Sequence, residues 1–114
     1  MGVKKKTIKE IENLLSSRDK IILAAEDDGK IAGFITGWVS NGVNYREGSF
    51  DIYIKNEFQC KGIGKKLMKE LSEWFKDKYC KIISVGVYSS NKKANRFYEK
   101  IGFKLVSEAY KRKI

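Results

Sequence analysis

The stretch that decides the fold is FQCKGIGKK, Phe58 to Lys66, in which two glycines and three lysines stand between a strand-like run and a helix-like run. Before it, SFDIYIK (residues 49–55) alternates as a strand does, and after it apolar residues recur at helical spacing from Gly62 to about Lys78. A glycine-rich turn that opens a helix leaves backbone N–H groups unpaired at the positive end of the helix dipole. The sequence therefore predicts an anion-binding site at this turn.

The turn fits neither of the two common nucleotide-binding patterns. A mononucleotide P-loop aligned on Gly64-Lys65 would need glycine at position 59 and Ser or Thr at position 66, where the chain has Gln59 and Lys66. A dinucleotide fingerprint would need its third glycine where Leu67 stands. On the turn alone, a tight bend without a ligand stays the alternative.

Outward from this turn, the chain predicts an α/β fold with one central sheet. The expected helices lie at residues 7–16, opened by the capping box Thr7 to Glu10, at 62–78 and at 91–101, and the expected strands lie at 20–26, 30–40, 49–55, 81–88 and 103–112. A hairpin turn at Gly29 joins the first two strands, and Gly33 and Gly37 mark a bend or a close contact. At 114 residues, the chain is expected to form one domain, residues 1–114.

Composition narrows the chemistry. No apolar run approaches the roughly twenty residues of a membrane span, and the N-terminus lacks the apolar stretch of a signal peptide, so we expect a cytoplasmic protein without a membrane partner. There is no histidine and no paired cysteine motif around Cys60 or Cys80, so no metal site is expected. The formal charge of +10 is spread along the chain, which fits a solvated surface or an attraction to anions, nucleic acid or polyphosphate.

Two motifs at a particular separation resemble those of the GNAT superfamily of acetyl-coenzyme A dependent N-acetyltransferases. Residues 59–64, QCKGIG, fit the pattern Q/R-x-x-G-x-G/A, and after one helix and one strand residues 91–98 read NKKANRFY. The resemblance covers roughly residues 21–110. It implies a mixed, mostly antiparallel central sheet with helices on both faces and a V-shaped splay between the strands at 49–55 and 82–88.

The resemblance also implies roles for residues. The pyrophosphate of coenzyme A would bind the backbone amides of the loop, and the strand before the loop would contact the pantetheine arm and the acetyl carbonyl. The expected cofactor-binding residues are Tyr53, Ile54, Lys55, Gln59, Cys60, Lys61, Gly62, Ile63, Gly64, Lys65, Lys66, Asn91, Ala94 and Phe97. Asn91 is expected to cap its helix as well, and Cys60 to be a plain loop residue rather than an acyl carrier.

The implied reaction transfers an acetyl group from acetyl-coenzyme A to a primary amine by direct attack. Tyr98 is expected to be the general acid for the coenzyme A thiolate, because a phenol of pKa about 10 can donate to a thiolate whose acid is near 8.5. Packing of its ring in the core is the alternative. Asp51 and Glu26 are each candidates for the general base, acting through water.

The acceptor is left open by the sequence. Family members usually carry a longer N-terminal part, whereas twenty residues precede Ile21 here, so we expect an N-terminally shortened domain whose acceptor side is open or is completed by a second subunit in a homodimer. A peptide N-terminus, a protein lysine, a polyamine or a small metabolite amine would fit. A non-catalytic coenzyme A binding module is one rival function. A basic nucleic-acid-binding domain is another, which would leave the paired motifs unexplained.

Overall fold

A five-stranded sheet forms the centre of the structure, a computed structural model that describes residues 6–10, 19–87, 89–106, 110 and 112–113. In spatial and sequence order the strands are β1 (Lys6–Glu10), β2 (Lys20–Asp27), β3 (Lys30–Asn41), β4 (Arg46–Ile54) and β5 (Cys80–Ser84). The first four pair antiparallel, and β5 lies parallel to β4. The prediction of a mixed, mostly antiparallel sheet is therefore confirmed.

Two helices complete the described fold: α1 (Ile63–Asp77) and α2 (Lys92–Lys100). A 3-10 turn at Asn56–Phe58 links β4 to the loop before α1. The buried side of α1 consists of Ile63, Leu67, Met68, Leu71 and Phe75, as its apolar spacing predicts. α2 ends where Gly102 adopts φ +103° and the N–H of Phe103 donates to the carbonyl of Tyr98 at 2.9 Å, which confirms the predicted glycine stop.

Glycines in the sheet let α1 come close to it. A Cβ placed on Gly37 would lie 2.5 Å from Leu71 Cδ1, and one on Gly48 would lie 2.5 Å from Phe75 Cε1. A Cβ on Gly33 would meet the carbonyl oxygen of Tyr53 at 2.5 Å. The close contacts predicted at Gly33 and Gly37 are thus confirmed, and the role of Gly48 is an addition from the structure.

Both described helices pack on the same face of the sheet. Phe50 stands opposite Gly37 in the β3–β4 register and so faces α1, and its ring lies 5.9 Å from the ring of Tyr98 on α2. We call this the helix face, and the opposite one, which carries Phe34 and Tyr53, the open face, since no described helix covers it.

The predicted N-terminal helix is wrong where it can be compared. Lys6–Glu10 forms β1 and pairs with β2 from Lys6 opposite Asp27 to Glu10 opposite Leu23. A capping motif is a weak local preference, and pairing with the edge of β2 outweighs it. The remainder of that predicted helix, residues 11–16, lies outside the described residues.

The sheet parts between β4 and β5. Pairing runs from Arg46 opposite Cys80 to Ser49 opposite Ser84 and stops there, although β4 continues to Ile54. β5 ends at Ser84 rather than at the predicted residue 88, because residues 85–87 no longer have the neighbouring strand to bond to. The strand predicted at 103–112 is wrong for residues 103–106, which form neither strand nor helix, and part of its remainder lies outside the described residues.

Candidate active site

The loop before α1 leaves a run of backbone N–H groups at the start of that helix. Gly62 is the N-cap with φ +82°, and nothing lies within 4 Å of where its Cβ would be. The first N–H of the helix with a backbone acceptor belongs to Lys66, which donates to the carbonyl of Gly62 at 3.1 Å. No described backbone carbonyl accepts from the N–H groups of residues 62–65, and the first turn holds no acidic residue. Such a helix start attracts an anion.

Lysines surround this helix start. Lys65 and Lys66 are exposed in the first turn of α1. The Nζ of Lys61 lies 6.0 Å from the centre of the Phe58 ring, and the exposed thiol of Cys60 sits on a backbone of φ +60°. The formal charges of the lysines add to the partial charge of the amides.

Gln59 fixes the geometry of the loop. Its Nε2 donates to the carbonyl of Ile54 and to Oδ1 of Asn56, each at 3.2 Å. Its Oε1 accepts from Nζ of Lys93 on α2 at 2.7 Å. The side chain therefore joins the end of β4, the loop and the first turn of α2. Lys93 was missed by sequence reasoning, because the contact joins positions 34 residues apart.

Gly64 has a packing role. A Cβ on Gly64 would lie 3.2 Å from Phe97 Cζ and 3.7 Å from Ile52 Cδ1. Phe97 and Ala94 are partly buried against the core cluster. Glycine at position 64 thus brings the start of α1 against α2, and Phe97 supports the loop from the protein side.

The backbone of β4 directs hydrogen-bonding groups into the gap between β4 and β5. The N–H of Lys55 donates to the carbonyl of Ala32 at 2.9 Å, so Lys55 and every second residue before it point their backbone groups toward β3. Ile52 and Ile54 point theirs the other way, beyond the last β5 pairing at Ser49. Of the predicted backbone contacts, Ile54 faces the gap and Tyr53 and Lys55 do not. The backbone of Ile52 also faces the gap, which the sequence analysis did not predict and which only the strand register reveals.

Tyr98 reaches the core with its ring. The ring is 9% exposed and packs against the rings of Phe50, Phe97 and Phe103 at centre distances of 5.9, 5.3 and 5.6 Å. No described residue forms a hydrogen bond with its hydroxyl. Burial, and next the negative charge of Asp51, raise the pKa of Tyr98 above its ordinary value. The phenol therefore keeps its proton throughout the neutral range.

The two carboxylate candidates are placed differently. Asp51 is exposed on the open face of β4, close enough for its charge to act on Tyr98. Glu26 is on β2, where it lies opposite Ile31 of β3. Because β2 is two strands away from β4, about 10 Å separates the two strands across the sheet. The charge of Asp51 therefore acts on Tyr98, whereas Glu26 stands two strands away from β4.

Asn91 caps α2. Its Oδ1 accepts from the N–H of Ala94 at 3.1 Å, and its carbonyl accepts from Nδ2 of Asn95 at 2.8 Å. The N-cap half of the prediction is confirmed, and the predicted cofactor contact stays a prediction.

The described residues contain no group of three or more His, Cys, Asp or Glu side chains that could hold a metal ion. Neither α1 nor α2 has the length and apolarity needed to cross a bilayer.

The model of the acetyltransferase (GNAT) family matches residues 3–103 of the sequence. The chain belongs to the GNAT family. The match includes the glycine loop before α1, the gap between β4 and β5, and α2 with Tyr98.

Relatives of this GNAT chain are named acetyltransferases. An uncharacterized N-acetyltransferase of Archaeoglobus fulgidus is 33% identical over 100 residues, which are 83% of this chain and 68% of the relative. A thialysine N-epsilon-acetyltransferase of Sus scrofa is 39% identical over 59 residues, which are 52% of this chain and 35% of the pig enzyme. The chain thus spans about two thirds of the first and a third of the second. These names and the family place it in the acyltransferase class.

Solved structures share the fold. An aminoglycoside N-acetyltransferase in complex with coenzyme A matches with a TM-score of 0.78 at 20% identity, over 88% of this chain and 70% of that chain. Glucosamine-6-phosphate N-acetyltransferase from Arabidopsis thaliana matches with a TM-score of 0.71 at 24% identity, over 83% of this chain and 67% of that chain. The first of these proteins was solved with coenzyme A bound, and both likenesses concern the fold.

Proposed function

We propose that this GNAT chain transfers an acetyl group from acetyl-coenzyme A to a primary amine. One observation carries the proposal: the N–H groups of residues 62–65 have no backbone acceptor among the described residues, and a Cβ on Gly64 in the same turn would lie 3.7 Å from Ile52, whose backbone faces the gap between β4 and β5. The loop of residues 60–66 would hold the diphosphate, with Gly62 leaving room for it and the lysines supplying charge. When bound, acetyl-coenzyme A supplies an activated acetyl thioester.

The gap would orient the rest of the cofactor. The N–H and C=O groups of Ile52 and the N–H of Ile54 offer a ladder edge that an amide-containing arm can pair with, as a strand would. A backbone N–H fixed in a sheet is also a preorganised donor to a carbonyl oxygen on which negative charge develops. Gln59 and Lys93 would act indirectly, by holding the end of β4 and the loop in register.

Tyr98 would be the proton donor and Asp51 the acceptor. The Tyr98 hydroxyl holds its proton through neutral pH, because burial and Asp51 raise its pKa. It can therefore always donate to a leaving sulfur. A lysine-like amine, with pKa about 10.4, is mostly protonated at neutral pH and needs a base. Asp51, exposed on the open face, can accept that proton through water. Glu26 is the weaker candidate because it stands two strands away.

The proposal is tested first by binding. Calorimetric titration with coenzyme A should give heat. 4′-Phosphopantetheine, which keeps the arm and one phosphate, should bind at least about tenfold more tightly than pantetheine, which has the arm alone, if charged hydrogen bonds of the loop carry the affinity. Equal affinity for the two ligands would refute the assigned role of the loop.

Turnover is tested next, by free-thiol release from acetyl-coenzyme A with a panel of primary amines. Relatives named for thialysine and for aminoglycosides support an amine acceptor. Coenzyme A binding without thiol release for any amine would support the alternative of a non-catalytic coenzyme A binding module. Salt-dependent binding of DNA or RNA without binding of coenzyme A would instead support the function of a nucleic-acid-binding domain.

A further inference from the structure

A side-chain hydrogen bond joins β4 to β5 at the point where the two strands part. Oγ of Ser84 donates to Oε2 of Glu47 at 2.6 Å. Ser84 forms the last pair of the β4–β5 ladder, opposite Ser49. Glu47 stands opposite Ile82, two residues earlier on β5. The bond therefore crosses the ladder diagonally and ties its final steps together. We call it the apex bond.

Both side chains of the apex bond are half-buried on the open face. A Cβ on Gly48 would lie against the ring of Phe75, so the neighbouring Glu47 points away from the helices. Across the ladder, Ile83 packs against the core, so Ser84 also points to the open face. A hydrogen bond to a carboxylate is about twice as strong as a neutral one. The apex bond is therefore a strong link between the two strands.

The ladder that this bond reinforces is short. β5 carries one extra residue between Cys80 and Ile82, so the register shifts after Arg46, and three consecutive pairs follow before the strands part. Parallel pairing is slightly less stable per residue than antiparallel pairing, and β5 is an edge strand of the described sheet. A side-chain bond at the last pair therefore contributes strongly to where the pairing ends.

Bonds at both ends of β4 fix the direction of its backbone groups. At one end, the N–H of Gly42 donates to the carbonyl of Tyr45 at 2.8 Å. At the other end, the N–H of Lys55 donates to the carbonyl of Ala32 at 2.9 Å. Because these groups alternate along an antiparallel strand, the odd-numbered residues of β4 bond toward β3 and the even-numbered residues point toward β5.

The end of the ladder decides which even-numbered residues are available to a ligand. With Ser49 opposite Ser84 as the last pair, parallel geometry makes the N–H of Phe50 the last of β4 to donate to β5. The carbonyl of Phe50 and the backbone groups of Ile52 and Ile54 then face the gap. If the last pair opened, Phe50 would be released and β5 would move away from these groups.

We propose that the apex bond sets the width of the gap, so that Ser84 and Glu47 are positioning residues for the arm of acetyl-coenzyme A. They act through the β4–β5 ladder, which holds the chain after Ser84 at a fixed distance from the backbone of Ile52. This assignment rests on the proposed function, since it concerns how the same gap holds its cofactor.

Arg46 offers a matched control, because it links the same two segments at the other end of the ladder. Its Nε donates to the carbonyl of Lys78, just before β5, at 2.7 Å. Its other guanidinium nitrogens contact Asn41 and Asp19. Arg46 is about 10 Å along β4 from Ser49. Arg46→Met should therefore lower the midpoint of urea denaturation without changing the gap.

The experiment follows the ladder and the ligand separately. Hydrogen exchange of the Phe50 amide, measured by NMR relative to amides of β3, should rise about tenfold in Ser84→Ala and in Glu47→Ala, as expected for one hydrogen bond to a charged group. Calorimetry should show coenzyme A binding about threefold to tenfold more weakly, because the Kd rises as the fraction of molecules with a paired apex falls.

Two further variants distinguish a specific bond from a general disturbance. Ser84→Thr keeps the hydroxyl and should bind coenzyme A within about twofold of the wild type. The double variant Ser84→Ala with Glu47→Ala should lose no more affinity than either single variant, because both remove the same bond. The advantage of 4′-phosphopantetheine over pantetheine should persist in all of them, since the loop before α1 is unchanged.

The outcomes keep the two proposals apart. Unchanged exchange at Phe50 in Ser84→Ala would show that the bond does not hold the ladder, and faster exchange with unchanged coenzyme A affinity would show that the ladder does not set the gap. Either result, or an equal loss of affinity in Arg46→Met, overturns this inference and leaves the acetyltransferase proposal standing. Absence of coenzyme A binding by the wild type would overturn the proposed function, together with the positioning role that rests on it.

Discussion

Replacing Tyr98 with Phe separates the chemical role of the phenol from the packing role of its ring. The ring contacts with Phe50, Phe97 and Phe103 lie at centre distances of 5.3 to 5.9 Å, and phenylalanine keeps all three. The lost hydroxyl has no hydrogen-bond partner among the described residues. We therefore expect Tyr98→Phe to change the free energy of unfolding by no more than about 0.5 kcal/mol.

Activity should respond much more strongly. General acid catalysis contributes about 10²–10⁴ in rate, so kcat for thiol release should fall by at least about a hundredfold in Tyr98→Phe. The affinity for coenzyme A, measured by calorimetry, should stay within about twofold of the wild type, because phenylalanine keeps the ring contact with Phe97, whose own ring packs against Gly64 in the loop. Tyr98→Ala is the packing control. Loss of a buried aromatic ring should lower the free energy of unfolding by about 3–5 kcal/mol in urea denaturation.

Two results would refute this reasoning. A kcat for Tyr98→Phe within about twofold of the wild type would mean that the thiolate leaves without a proton from this residue. A loss of turnover matched by an equal loss of coenzyme A affinity would assign the hydroxyl to binding instead of to proton transfer.

Three further predictions concern stability. Gly62→Ala should lower the free energy of unfolding by about 1–2 kcal/mol in urea denaturation, since φ is +82° there; an unchanged midpoint would contradict that backbone conformation. Gly48→Ala should lower the free energy of unfolding by about 1–3 kcal/mol, because its Cβ would lie 2.5 Å from the Phe75 ring. The same substitution should cost less in a Phe75→Leu background, and an equal loss of stability in both backgrounds would contradict the contact. Folded Tyr98 holds its proton more tightly than the unfolded chain, whose value is 10.0, so stability should fall as the pH rises above about 10, and less steeply in Tyr98→Phe; parallel pH profiles would contradict the raised pKa.

The sequence was most informative where one local pattern acts alone. The 3.6-residue spacing of apolar residues located α1 to within one residue at each end, at Ile63–Asp77. The pair Asp28-Gly29, both with positive φ, gave the hairpin between β2 and β3. The glycine loop predicted the helix start at Gly62, which adopts the left-handed conformation, and the N–H groups of residues 62–65 have no backbone acceptor in the described part of the chain.

Features that depend on distant partners could not be predicted in this way. Lys6–Glu10 became a strand because β2 offers an edge to pair with, a fact that no local window contains. Whether Ile52 or Tyr53 faces the gap depends on the β3 register, which alternates with every residue. The bond from Lys93 to Gln59 joins two elements that only the folded chain brings together.

The parting of β4 from β5 makes recognition partly independent of side-chain identity. The peptide groups at positions 52 and 54 are present whatever residues occupy those positions. Substitutions can therefore change the side chains that line the gap between β4 and β5 while its backbone hydrogen-bonding groups remain. Alanine scanning would not detect the contribution of these backbone groups, because alanine keeps them. Amide-to-ester exchange at Ile52 or Ile54, or proline at either position, removes one N–H at a time. The resulting loss of ligand affinity would measure the contribution of the main chain to binding.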